Sequence, residues 1–157
     1  MSALPDSTEI AIIGAGPAGL MAAETLVAAG FKPILFDAMP TPARKLLMAG
    51  KSGLNLTHSN PLEKFLDRYA DRRANIEPAV RDLTPDSIRT WADGLGAQTF
   101  VGSSGRIFPK VFKASPLLRA WLQRLFDGDT ELRTRHKWTG WDADGCLTFC
   151  TPERTVK

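Results

Sequence analysis

Gly14, Gly16 and Gly19, with an acid following at Asp37, are the residues of this 157-residue chain best placed to do chemistry. The pattern G-x-G-x-x-G carries a mechanism only in context. A strand must run into it, a helix must leave it, and an acid must close the next strand about 20 residues on. In that setting Gly14 permits a tight turn, Gly16 lets backbone approach a pyrophosphate, and Gly19 lets the helix approach the strand closely. The start of the helix offers unpaired N–H groups and a partial positive charge to phosphates. Asp37 accepts hydrogen bonds from adenosine ribose hydroxyls and repels a 2′-phosphate. The expectation is a dinucleotide site on a βαβ unit spanning residues 9–37.

The flanking sequence supplies those elements. Glu9-Ile-Ala-Ile-Ile13 is a short β-branched run ending at glycine, as a buried parallel strand does. Residues 17–29 are rich in Ala, Leu and Met and stop at Gly30, which predicts a helix with a glycine just past its end. Pro33-Ile-Leu-Phe-Asp37 is the second strand. Ala23, Leu26 and Gly30 fall where such a helix packs on its sheet and then stops.

Beyond Asp37 the chain reads differently. Residues 38–60 carry prolines, glycines and small polar residues with little periodicity, which predicts a functional loop. Asn60-Pro61, Thr84-Pro85 and Ser115-Pro116 each pair a capping residue with proline, predicting three helix starts. The third helix, residues 116–126, sets Leu117, Leu118, Trp121, Leu122 and Leu125 on one apolar face. Gln98–Val101 and Arg106–Phe108 read as a hairpin around Gly102-Ser-Ser-Gly105. From Glu131 onward the tail alternates through Trp138, Trp141, Leu147 and Phe149 as strands do. Residues 146–157 read as a strand and turn heading into a further element, so truncation at the C-terminal end is expected.

Composition narrows the class. At 43% hydrophobic and 24% charged, the profile is that of a soluble globular protein. No stretch approaches the roughly 20 apolar residues of a membrane span. The opening residues carry Asp6 and Glu9 with no basic residue, unlike a signal peptide, so the expected location is cytoplasmic. The net charge is only +3, and between Pro61 and Asp82 five basic residues face five acids, a solvated helical surface rather than a nucleic-acid stripe. Cys146 and Cys150, four apart in a strand, stand roughly 13 Å from each other, too far for a disulfide. Without nearby histidines they make no zinc site, and no metal is expected.

Physics does not separate FAD from NAD, since both carry ADP; resemblance does. Gly14-Ala15-Gly16-Pro17-Ala18-Gly19 resembles the N-terminal fingerprint of two-dinucleotide-binding flavoproteins. Arg44 to His58 (RKLLMAGKSGLNLTH) resembles the segment after the second strand in the YhiN/BaiN-like flavoprotein family. Gly105-Arg-Ile-Phe-Pro109, with Lys113-Ala-Ser115, resembles a second signature of that family. The resemblance implies a larger FAD-binding oxidoreductase linked to NAD(P)H, whose flavin domain is interrupted by an insertion and completed by the C-terminal region. It adds Lys45, Ser52 and Asn55 as candidate contacts to the FAD phosphates or the flavin edge. Two departures stand out. Lys51-Ser-Gly-Leu-Asn55 lacks the cysteine that many members carry, and Asp37 is one methylene shorter than their usual glutamate.

Other features carry less. Gly50-Lys51-Ser52 is not a P-loop, because the glycine required five positions earlier is Lys45. His58 stands near the candidate flavin loop and is read as a loop histidine before a helix cap; His136 is read as exposed. Arg106 is read as structural, and the four tryptophans as packing residues. No general acid or base is assigned.

The expected fold is α/β: a Rossmann-like, FAD-binding parallel sheet in the order third–second–first strand. Glu131–His136 would be the third strand and helix 116–126 its crossover. Residues 1–37 form the βαβ unit, 38–112 an α+β excursion with two helices and a hairpin, and 113–157 the crossover helix, third strand and start of a β-meander. The expected function is FAD-dependent oxidoreduction, from NAD(P)H through flavin to a small organic acceptor. The alternatives are a redox-inactive ADP- or FAD-binding module or fragment, and an NAD-dependent dehydrogenase.

Overall fold

A computed structural model describes residues 10–49, 53–153 and 155–156. Among these, β1 (Ala11–Ile13), α1 (Pro17–Ala28), β2 (Ile34–Phe36) and α2 (Arg44–Ala49) come first. They are followed by β3 (Thr57–His58), α3 (Leu62–Leu66), a 3₁₀ turn (Asp67–Arg72), α4 (Arg73–Asp82) and α5 (Pro85–Gly94). Next come β4 (Phe100–Val101), β5 (Arg106–Phe108), α6 (Ala114–Asp127) and β6 (Glu131–Arg133). A meander of β7 (Lys137–Trp141), β8 (Leu147–Cys150) and β9 (Thr155–Val156) closes the series. The chain divides into two compact units, one made of the residues up to Leu46 and from Trp121 onward, the other of Leu47–Ala120.

The first unit carries a three-stranded sheet in the order β1-β2-β6, as its sequence predicts. Both pairings are parallel, with Ile12 opposite Leu35 and Leu35 opposite Leu132. The pleat sends alternate residues to opposite faces. Ile34 and Phe36 pack with Phe149 on one face, joined by Ala11, Leu147 and Val156, so the meander covers that side. Phe36 and Phe149 stack at 4.3 Å between ring centroids. On α1, Leu20 and Ala23 are buried. The C-terminal half of α6 lies beside α1, where Arg124 Nη1 pairs with Glu24 Oε1 at 2.8 Å. Helix α1 ends in a Schellman motif: Phe31 N–H donates to Leu26 O and Gly30 N–H to Val27 O.

Several details differ from the sequence expectations. The third strand ends at Arg133, and Arg135 turns with a positive φ of 59°, so His136 leaves the strand. His136 is half-buried rather than exposed, its ring 5.9 Å from Phe36 and 6.2 Å from Phe149. A register shift between Trp138 and Gly140 breaks the alternation of β7. Trp138 and Trp141 end opposite Phe149 and Leu147 on an outer strand, 40% and 65% exposed, so they are not core residues. Trp121, by contrast, is buried. Both cysteines are free and exposed.

The second unit carries an antiparallel sheet in the order β3-β5-β4 with Ile107 buried at its centre. The expected hairpin is present, pairing Phe100 with Phe108 and Val101 with Ile107. Strand β3 was not legible, because two residues have no periodicity and Thr57 pairs with Ile107 far along the chain. Thr84 caps α5, accepting from Ser87 N–H at 3.1 Å with Pro85 at the first helical position. At the other two starts the register moves: Pro61 itself caps α3, and α6 begins at Ala114. The helical stretch after Asn60 is kinked at Ala70 (φ 46°), giving α3, the turn and α4 in place of one helix. Arg73 bonds to Glu63, Asp67 and Glu77, and Arg81 to Glu63 and Glu77, so five of the ten charges of this stretch form one network, in which Arg73 and Glu77 are half-buried. No described helix is long and apolar enough to cross a membrane.

Candidate functional site

Strand β1 ends at Ile13, and the next residues are sewn to the end of β2. Gly14 N–H donates to Phe36 O at 2.7 Å. Gly14 has φ +100°, a conformation L side chains rarely adopt, and it turns the chain toward α1. A β-carbon built on Gly19 would stand 1.9 Å from the Gly14 carbonyl oxygen and 3.4 Å from Ile12 Cγ2. Gly19 is therefore required by packing. Gly16 is different, because a β-carbon there meets nothing within 4 Å and its φ of −79° suits any residue. Its lack of a side chain answers to no packing need among the described residues.

Gly16 is also the N-cap of α1 and supplies no side-chain cap; Pro17 holds the first helical position. The first helical bond runs from Leu20 N–H to Gly16 O. Among the described residues nothing accepts from the N–H groups of Gly16, Ala18 and Gly19. These amides lie at the positive end of a 12-residue helix.

Asp37 follows β2 and is half-buried. Its backbone is held by β6 and the residues after it: Asp37 N–H donates to Arg133 O, and His136 N–H donates to Asp37 O. Its carboxylate receives Ala15 N–H on Oδ2 and Met39 N–H on Oδ1, each at 2.7 Å. Ala43, which is buried with φ 51°, donates its N–H to Ala15 O at 2.8 Å. Thus the turn into α2 is tied to the glycine-rich loop. Nothing in the local sequence marks Ala43 for this contact, which sequence reasoning missed.

Of the residues expected on the dinucleotide, Gly14, Ala15, Gly16, Pro17, Ala18, Gly19 and Asp37 form one continuous structure. Lys45 is exposed on α2, two residues past Ala43. Asn55 is exposed in the extended segment before β3, in the second unit, and Ser52 lies outside the described residues. His58 is held structurally. Its Nδ1 accepts from Asn60 N–H at 3.2 Å, and its Nε2 lies 3.1 Å from Ser104 O and 3.3 Å from Arg68 Nη2. Arg106 is exposed on β5 opposite His58. Among the described residues, no group of three or more His, Cys, Asp or Glu is placed to hold a metal ion.

A family model described as HI0933-like protein Rossmann domain matches residues 8–156. The chain belongs to the HI0933-like family. The match extends from before β1 through the meander, so the HI0933-like domain includes both the glycine-rich loop and the excursion between β2 and β6.

Solved structures agree on the fold. THI4 of Thermovibrio ammonificans is 15% identical with a TM-score of 0.53, covering 91% of this chain and 45% of its own. The L-amino acid deaminase of Proteus vulgaris is 16% identical with a TM-score of 0.52, covering 100% and 47%. A 3-ketosteroid-Δ4-(5α)-dehydrogenase of Rhodococcus jostii RHA1 is 10% identical with a TM-score of 0.59, covering 96% and 44%. The HI0933-like chain therefore spans less than half the length of each. No curated protein sequence matches it.

Proposed function

We propose that this HI0933-like domain binds FAD through its ADP half and serves a flavin-dependent oxidoreductase of the YhiN/BaiN-like kind. The observation that carries the reading is the set of uncommitted amides at Gly16, Ala18 and Gly19, beside open space and next to Asp37. A diphosphate fits there chemically. It is anionic and rich in acceptors, and it meets N–H donors at a helix N-terminus with no side chain in the way. Asp37 retains acceptor capacity for ribose hydroxyls, since each carboxylate oxygen has room for about two hydrogen bonds. Its charge opposes a 2′-phosphate. Lys45 would add positive charge toward the phosphates.

Bound flavin would supply hydride acceptance from NAD(P)H and electron transfer to a small organic acceptor, while the protein supplies binding and orientation. The names of the structural neighbours, a deaminase and a dehydrogenase among them, are in keeping with redox chemistry on this fold.

Calorimetric titration tests the reading. FAD and ADP should bind competitively, and an ADP carrying a 2′-phosphate should bind more weakly. No binding of either FAD or ADP would refute the proposal. Preference for NAD over FAD would favour a nicotinamide dehydrogenase instead.

A further inference from the structure

We infer that Asp37 is a positioning residue for the diphosphate as well as a ribose ligand. The inference rests on the dinucleotide reading above and deepens it. Ala15 is 0% exposed, so its N–H is cut off from water and needs a protein acceptor. Asp37 Oδ2 is that acceptor at 2.7 Å. The loop has two further anchors, Gly14 N–H to Phe36 O and Ala43 N–H to Ala15 O. Both are backbone to backbone. Asp37 is the anchor that a side chain provides.

The consequence follows from where Ala15 stands. It lies between Gly14, whose turn starts the loop, and Gly16, the first uncommitted amide. Asp37 holds the N–H of the Gly14–Ala15 peptide, and Ala43 holds the carbonyl of the next, Ala15–Gly16, whose N–H is the first uncommitted one, so the two anchors together set the direction in which Gly16 N–H points. The second carboxylate oxygen takes Met39 N–H, which fixes the carboxylate in its turn. Without the carboxylate, a buried N–H is left without an acceptor, and the loop must rotate to satisfy it. The amides of Gly16, Ala18 and Gly19 then lose their aim. A residue acting on ribose alone has no such effect on phosphate binding.

A ligand without ribose hydroxyls separates the two roles. Binding of ADP and of 2′,3′-dideoxy-ADP is measured for wild-type chain, Asp37→Ala and Asp37→Asn. The positioning role predicts that Asp37→Ala weakens both nucleotides by at least about tenfold, the scale of a hydrogen bond to a charged group. Asp37→Asn keeps one carbonyl oxygen, for Ala15 N–H or for Met39 N–H but not for both, and should recover part of the dideoxy-ADP affinity. In ¹⁵N-labelled protein the Ala15 amide resonance should move upfield in Asp37→Ala and exchange faster, while that of Leu20 stays in place. Unchanged dideoxy-ADP affinity in Asp37→Ala would overturn the positioning role and leave the dinucleotide reading intact. Wild-type chain that binds neither nucleotide would overturn both. Should Asp37→Ala fail to fold, Asp37→Asn still decides: dideoxy-ADP affinity that falls as the Ala15 resonance moves upfield, or stays as it stays, supports the role, and affinity that does not follow the resonance refutes it.

Discussion

Gly19 sits against Gly14 so closely that a single methyl group on it would overlap the Gly14 carbonyl oxygen, at 1.9 Å. The atom it meets is backbone at the end of β1, which has no rotamer to change. Gly19→Ala should therefore push α1 off the sheet and lower stability by about 3 kcal/mol, the upper range for forced overpacking. Urea unfolding of the variant measures this. A midpoint equal to wild type would mean that helix and strand do not meet as described.

Gly16 makes the opposite prediction with the same residue type. Its φ is ordinary and its surroundings open, so Gly16→Val should fold with a loss within about 1 kcal/mol, the scale of an N-cap change. The new side chain would occupy the space where backbone meets pyrophosphate, so FAD and ADP binding should disappear. Calorimetry that finds ADP binding unchanged would show that the glycine-rich loop is not a ligand site.

In the sheet β1-β2-β6, β1 has a neighbour on one side only among the described residues. Ligands of open α/β sheets bind across a crevice at the carboxyl ends of the strands, with protein on both sides of the switch point. On our reading this unit supplies one side, which holds ADP. The 157-residue chain should bind FAD no more than about tenfold tighter than ADP, because the isoalloxazine gains few contacts. Stoichiometric yellow flavin retained through gel filtration would contradict that division of labour.

The ion-pair network around Arg73 gives a pH dependence. Hydrogen bonds from Arg81 and Arg73 hold the Glu63 carboxyl below its ordinary 4.5, and those from Arg73 and Arg81 do the same for Glu77. A carboxyl whose value is lowered on folding favours the folded state when ionised. That stabilisation is complete above the unfolded value and fades as pH falls through the folded one. Thermal unfolding between about pH 6 and pH 3 should show wild type losing stability faster than Glu63→Gln/Glu77→Gln. Parallel curves for the two proteins would exclude a role for the network in acid unfolding.

His58 and Gly105 should be coupled. A β-carbon on Gly105 would stand 2.5 Å from His58 Cε1, and Gly105 has φ +77°. Gly105→Ala should expel the ring from its bonds with Ser104 O and Asn60 N–H, costing about 1–3 kcal/mol. In a His58→Ala background the clash is gone, and the cost should fall to the backbone strain alone, about 1 kcal/mol. Equal costs in both backgrounds would show that the ring is not where it is described.

What the sequence by itself determined was local. The strand–loop–helix of β1 and α1, the glycine after α1 and the Thr84 cap of α5 each depend on residues within one turn of each other. Backbone sterics and nearby hydrogen bonds suffice to specify them. The parallel order β1-β2-β6 was also legible, because buried parallel strands are continuous apolar runs and crossovers obey one hand. Tertiary structure alone decided the rest. That Asp37 holds the glycine-rich loop depends on Ala15, 22 residues away, and on its 2.7 Å bond. Strand β3 exists because β5 pairs with it, and the outward tryptophans go with a register shift in the pairing of β7 with β8. Gly16 and Gly19 look equivalent in sequence, yet one has open space and the other a carbonyl oxygen beside it. These outcomes rest on contacts between distant segments, whose pairing carries no periodic signal along the chain.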